Sequence, residues 1–168
     1  MVARVAPQYY RAMNDFRISG LDPQPFLDLY GRSEAELAAR GARRFIVDAK
    51  PGFPDRVEMR DLDLGETALL VSYEHLSGPS PYRSRHAVFV REGATRAYDA
   101  VNEVPEVLRS RLLSVRAFDV ADMMVDADVV QGSDLARLLR SLFANRDIAY
   151  IHVHNAKPGC YAARVDRA

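Results

Sequence analysis

From Arg44 onward the chain is built from short runs in which apolar and polar residues alternate, the period-two signature of a half-buried strand. Arg44–Asp48 carries Phe45, Ile46 and Val47. Arg56–Arg60 sets Val57 and Met59 against Arg56, Glu58 and Arg60. Ala68–His75 and His86–Arg91 follow, separated by the loop LSGPSPYRS. Arg111–Phe118 and Met123–Val130 read as two strands joined near Asp119–Asp122. Ile148–Asn155 and Tyr161–Val165 make a final pair across Lys157-Pro158-Gly159-Cys160, with Phe16–Ile18 opening the fold. The stretch Gly93–Asn102 is polar and predicts no element.

Helical spacing is rarer. Pro23 and Pro25 open a short stretch through Phe26, Leu27 and Tyr30 that stops at Gly31. Ser33 and Glu36 have capping-box spacing, in which each residue satisfies a backbone N–H of the other, and Gly41 ends that helix. Pro105–Ser110 suits one turn. After Ser133, a good N-cap, Leu135, Leu138, Leu139, Leu142 and Phe143 fall at i, i+3, i+4, i+7 and i+8, one apolar stripe. Together these elements predict an α+β fold. It would be a largely antiparallel sheet with one main amphipathic helix on one face and short helices near the N-terminus. Residues 1–168 are expected to form a single domain, with 1–11 a loose leader.

Alternation also sorts faces. Ile151 and Val153 oppose Tyr150, His152 and His154; Leu113, Val115 and Ala117 oppose Ser114, Arg116 and Phe118. Val125, Ala127 and Val129 oppose Asp126 and Asp128. If the apolar faces all lie under the helix, the other surface collects Tyr150, His152, His154, Arg116, Asp126 and Asp128.

Composition narrows the partners. The 23 basic residues balance 23 acidic ones, which argues against a nucleic-acid binder, since that needs a basic face. The single cysteine, Cys160, excludes an internal disulfide and fits a reducing compartment. No apolar run reaches the roughly 18–20 residues of a membrane span, and the N-terminus lacks a signal-peptide pattern. A cytoplasmic protein that takes a small-molecule ligand, with homodimerisation open, is the expectation.

His152 and His154 are two apart on a strand, so both imidazoles could reach one divalent metal. Asp126 and Asp128 share that geometry and could add oxygen ligands. The bland alternative is that polar residues simply alternate outward on a half-exposed sheet. His75 is a second candidate for proton transfer, at a strand end whose rim holds Tyr73, Tyr82 and Arg83, with Arg83 suited to an anion. An aromatic-anchored loop with an Arg–Glu pair is the bland reading there. Arg116 and Tyr150 complete the candidate binding set. For Cys160, a two-residue Pro-Gly loop would pair Lys157 with Cys160 and His154 with Ala163, turning the thiol away from the histidines.

The segments YEHLSGPSPYRS, HAVFVRE, LRSRLLSVRAFD, MMVDADVV and IHVHNAKPGCYAARV resemble the bacterial domain-of-unknown-function family 1203 from about Phe16 to the C-terminus. The resemblance implies a compact bacterial protein of this length and supplies no activity, substrate or cofactor. Two function classes therefore stay open. One is a small-molecule or hydrolytic site around His152 and His154. The other is a non-catalytic module that binds a partner, or itself, through the exposed sheet face. Convergence of these groups on a concave pocket would favour the first.

Overall fold

Most period-two runs become strands. The computed structural model describes residues 14–168, so the leader expected at 1–11 lies outside the described residues. Six strands, β1 (Phe16–Ser19), β5 (Asp99–Val101), β6 (Leu112–Phe118), β7 (Met124–Gln131), β8 (Tyr150–Asn155) and β9 (Tyr161–Arg167), form one antiparallel sheet. Their order is β5-β1-β9-β8-β6-β7. A second antiparallel sheet takes β2 (Arg43–Ile46), β3 (Thr67–Leu76) and β4 (Ser84–Arg91) in chain order. The helices are short: α1 (Glu34–Ala39), α2 (Glu106–Arg109) and α3 (Leu135–Leu142). The fold is α+β and mostly antiparallel.

Local chemistry sets the ends. Both arms of the Ser33–Glu36 capping box form: the Glu36 amide donates to Ser33 Oγ at 3.3 Å, and the Ser33 amide donates to the Glu36 carboxylate at 2.8 Å. The start of α3 departs from expectation. A 3-10 turn at Gly132–Asp134 precedes it, so Ser133 is no N-cap, and Asp134 holds the cap position without a side-chain bond. Packing explains this: a Cβ on Gly132 would lie 1.9 Å from the Leu108 carbonyl, so the turn is wound tightly against α2. At eight residues α3 is a patch over the sheet rather than a dominant helix.

The Arg56–Arg60 run is not a strand. Asp55 accepts the amides of Val57 and Glu58 at 3.3 and 2.6 Å, capturing groups that a ladder would need. Met59 follows in the left-handed region at φ 55°. Conversely, β5 lies inside the stretch Gly93–Asn102, where no element was expected.

The two sheets bury different faces. Leu135, Leu139, Leu142 and Phe143 of the α3 region cover Leu113, Val115, Ile151, Val153 and Val165 on one face of the large sheet. The small sheet covers the opposite face, where Leu69, Val71, Val88 and Val90 form a second core that includes Tyr161 of β9. The face expected to be a polar surface is thus an interior between two sheets.

Register overturns the assignment of β7. Arg116 is opposite Ala127 and Ser114 opposite Val129, which places Ala127 and Val129 on the Arg116 face. Asp126 and Asp128 oppose Ala117 and Val115 and so belong to the other face, away from the histidines. Their carboxylates accept the following amides, of Ala127 and Val129, at 2.8 and 2.7 Å. As an edge strand exposed along most of its length, β7 has no core-facing side for alternation to reveal. A one-residue error then exchanges every side chain between faces.

The last hairpin also differs. The Asn155 amide donates to the Cys160 carbonyl at 2.9 Å, closing a loop over residues 156–159 rather than the expected two-residue turn. An irregularity in β9 then sets Tyr161, not Ala163, opposite His154. Cys160 still avoids the histidine group, but beside Asn155 rather than paired with Lys157.

Candidate functional site

All four histidines of the chain converge between the sheets, from β3, β4 and β8. His152 and His154 share a face of β8 as period two requires, and both are buried. The β3–β4 pairing sets His86 directly opposite Tyr73, with His75 two residues farther along β3 on the same face. The His75 ring is sandwiched between His86, 4.8 Å away and parallel within 5°, and Tyr161, also at 4.8 Å. His152 and His154 approach its edge, each with a centroid separation of 5.1 Å.

The polar contacts are sparse and specific. His75 Nδ1 lies 3.2 Å from His152 Nδ1, and Ser84 Oγ is 2.9 Å from His75 Nε2. His154 Nδ1 donates to the Gly159 carbonyl at 3.2 Å, which leaves Nε2 as the bare nitrogen. That Nε2 is buried with no partner among the described residues. One ring nitrogen from each of His75, His152 and His154 falls within a group spanning no more than 4.8 Å. No carboxylate joins them among the described residues.

Burial dominates the electrostatics. It holds His75 down to about 4, with His86 and Arg116 adding to the effect. Burial, then His75 and His154, takes His152 to about 2. Burial and Arg116 take His154 to about 3, against a smaller opposing pull from the Gly159 carbonyl. The rings are therefore neutral at physiological pH, each with a lone pair free of competition from a proton.

The other expected residues divide. Arg116 is opposite His152 in the ladder and shares its face, so it does belong to the surroundings of the cluster. Tyr150 borders His152 at 5.1 Å, but its hydroxyl donates to Asp122 at 2.6 Å and its ring carries Arg164 at 4.1 Å. Tyr73 packs among Phe26 and Tyr161 as part of the inter-sheet core. Tyr82 leans on Phe118, and Arg83 pairs with Glu74 at 2.7 Å, the anchored-loop arrangement, so neither enters the cluster. Asp126 and Asp128 cannot be ligands, because they lie on the opposite face.

Sequence reasoning missed His86 and Tyr161. Hairpin register across the LSGPSPYRS loop would have placed His86 beside His75. Tyr161 reaches the cluster only because of the irregularity between Val153 and His154.

Fold and site together define an α+β protein of two stacked antiparallel sheets with a histidine cluster between them. The chain belongs to the family described as protein of unknown function, DUF1203, whose match covers residues 52–167 and so includes every residue of the cluster. No curated protein and no solved structure matches it. No described helix is long and apolar enough to cross a membrane.

Proposed function

We propose that the histidine cluster is a binding centre for a divalent transition metal, with His75, His152 and His154 as ligands, serving a small-molecule site. The observation that carries this reading is the grouping of three neutral ring nitrogens within 4.8 Å, one of them a buried Nε2 with no other partner. Nitrogen ligands of this kind suit zinc, and three histidines leave a fourth position open. Two of the second nitrogens are engaged: His154 Nδ1 donates to the Gly159 carbonyl, which fixes its tautomer, and His75 Nε2 meets Ser84 Oγ, which restrains its ring as outer-shell partners do.

Arg116 shapes what the centre accepts. Its charge disfavours a bare cation beside it, so the fourth ligand would be an anion, either hydroxide or an acidic group of the substrate. A bound metal would supply Lewis acidity or a water acidic enough to ionise near neutrality, which supports hydrolysis as the reaction class.

The test is metal analysis of protein purified without a histidine tag, followed by chelation and titration with cobalt(II). About one metal per chain, and visible absorption bands of a low-coordinate cobalt site, are expected. His152→Phe keeps an aromatic ring in the core and should lose both. Metal-free protein that gives no cobalt spectrum would overturn the reading.

Self-association through the exposed edge of β7 has weaker support. Val125 and Val129 are 42% and 59% exposed there. Asp126 and Asp128 lie between them, and charges on an edge strand oppose pairing with another chain. Sedimentation at several concentrations tests it.

A further inference from the structure

Beside the histidine cluster lies a cavity of about 620 Å³, within the usual range for small-molecule sites. Phe89, Leu70 and Leu112 give it apolar walls; Arg56, Arg111 and Lys157 give it cations, and no acidic residue lines it among the described residues. Arg111 is already neutralised by a two-pronged pair with Asp61 at 2.6 and 2.9 Å. Arg56 is not. It is 3% exposed, and its hydrogen bonds go to the carbonyls of Tyr161 and Pro54 and to Cys160 Sγ at 3.1 Å. Asp55, the adjacent carboxylate, is turned to the backbone amides of Val57, Glu58 and Arg91. A guanidinium carries five N–H donors, so two on Arg56 remain uncommitted. Lys157 is exposed at the rim and makes no ion pair among the described residues.

His86, Asn155 and Cys160 complete the polar part of the lining. A buried cation with two free donors and apolar walls therefore describe two parts of one complement.

We propose that this cavity binds a small organic acid whose carboxylate meets Arg56 and Lys157 and whose apolar body lies on Phe89 and Leu112. A single carboxylate, rather than a phosphate, matches two free guanidinium donors and one ammonium beside walls that are mostly apolar. The site is separate from the proposed metal centre, though His86 borders both.

Cys160 lines the cavity and is the sole cysteine, so its alkylation reports occupancy directly. The rate of iodoacetamide labelling is measured on the full chain with mandelate, phenylacetate, 2-phenylethanol or inorganic phosphate, each with and without a chelator. Mandelate and phenylacetate should both protect saturably in the millimolar range, and 2-phenylethanol and phosphate not at all. Lys157→Glu changes an exposed residue and should fold normally. It should weaken mandelate about tenfold relative to its own unliganded rate. Protection must survive chelation; loss on chelation would mean that the acid was bound by metal and would overturn this site while leaving the metal reading intact. Equal protection by 2-phenylethanol, protection by phosphate alone, or no protection by either carboxylate would also overturn it. Arg56→Met, if it folds by circular dichroism, should abolish the effect.

Discussion

The two faces of the six-stranded sheet are buried by different means. Toward α3 the face is filled by Leu113, Val115, Ile151, Val153 and Val165, whose burial favours folding with no polar group to satisfy. Toward the small sheet it carries Arg116, His152, His154 and Tyr161 against His75 and His86. Desolvating imidazoles is unfavourable unless they stay neutral and find partners, and here two ring nitrogens, His86 Nδ1 and His154 Nε2, have none among the described residues. Both faces are interior, yet only one is fully explained by packing. Of the four histidines stacked and edge-on there, three are what the proposed metal centre is built from.

Acid should separate the faces most strongly. Unfolded histidines titrate near 6.5, whereas His75, His154 and His152 are held to about 4, 3 and 2. Below about pH 6.5 the unfolded chain binds protons that the folded chain refuses, so stability is full above that pH and is lost as pH falls. For metal-free protein the loss by about pH 5 should be about 2 kcal/mol for each of the buried His152 and His154, and less for the partly exposed His75. Urea midpoints across pH measure it, and His152→Phe should remove about a third of the slope. A flat profile would show that the cluster is not desolvated.

On the helix side, Leu139→Ala should cost about 2–5 kcal/mol, because Leu139 is fully buried and its removal leaves a cavity. That loss should be the same at neutral and acid pH, unlike the loss from the histidine face. An unchanged denaturation midpoint would refute the packing of α3 on the sheet.

Much of this contrast could be read before any coordinates. Period two alone put His152 and His154 on the same side of β8, and the Leu135–Phe143 stripe marked its own buried side. Three things were not legible. Alternation shows that a strand has two faces but not what covers each, so the small sheet over His152 could not be anticipated from β8. Edge strands carry no strong preference, which is why Val125, Ala127 and Val129 of β7 pointed to the wrong face. Long-range register, which brings His86 and Tyr161 to His75, depends on hairpin geometry that a single irregularity resets.

A smaller effect sharpens the role of the loop that ends β3. Arg83 and Glu74 form an exposed pair outside the cluster, with the Arg83 side chain 60% accessible. Arg83→Ala should cost no more than about 1 kcal/mol, typical of surface pairs. Cobalt uptake should be unaffected. A variant that folds normally but loses cobalt would return Arg83 to the site.

The smallest effect is expected where the sequence pointed most directly to extra ligands. Asp126 and Asp128 lie on β7 across from Ala117 and Val115, so the sheet itself stands between their carboxylates and His152. Each already accepts the next backbone amide and is exposed. Changing both to Asn keeps size and polarity, and removes only charge that solvent and salt screen well. Stability should move by less than about 0.5 kcal/mol, as for surface substitutions away from special features. The cobalt spectrum and its affinity should be those of the unaltered protein, and the His152→Phe variant supplies the contrasting loss in the same assay. Weaker cobalt binding in the double variant, with its midpoint preserved, would mean that β7 can shift register by one residue and bring these carboxylates to the histidine face. In that case the division of the sheet into an apolar face and a histidine face would describe one state of the molecule only.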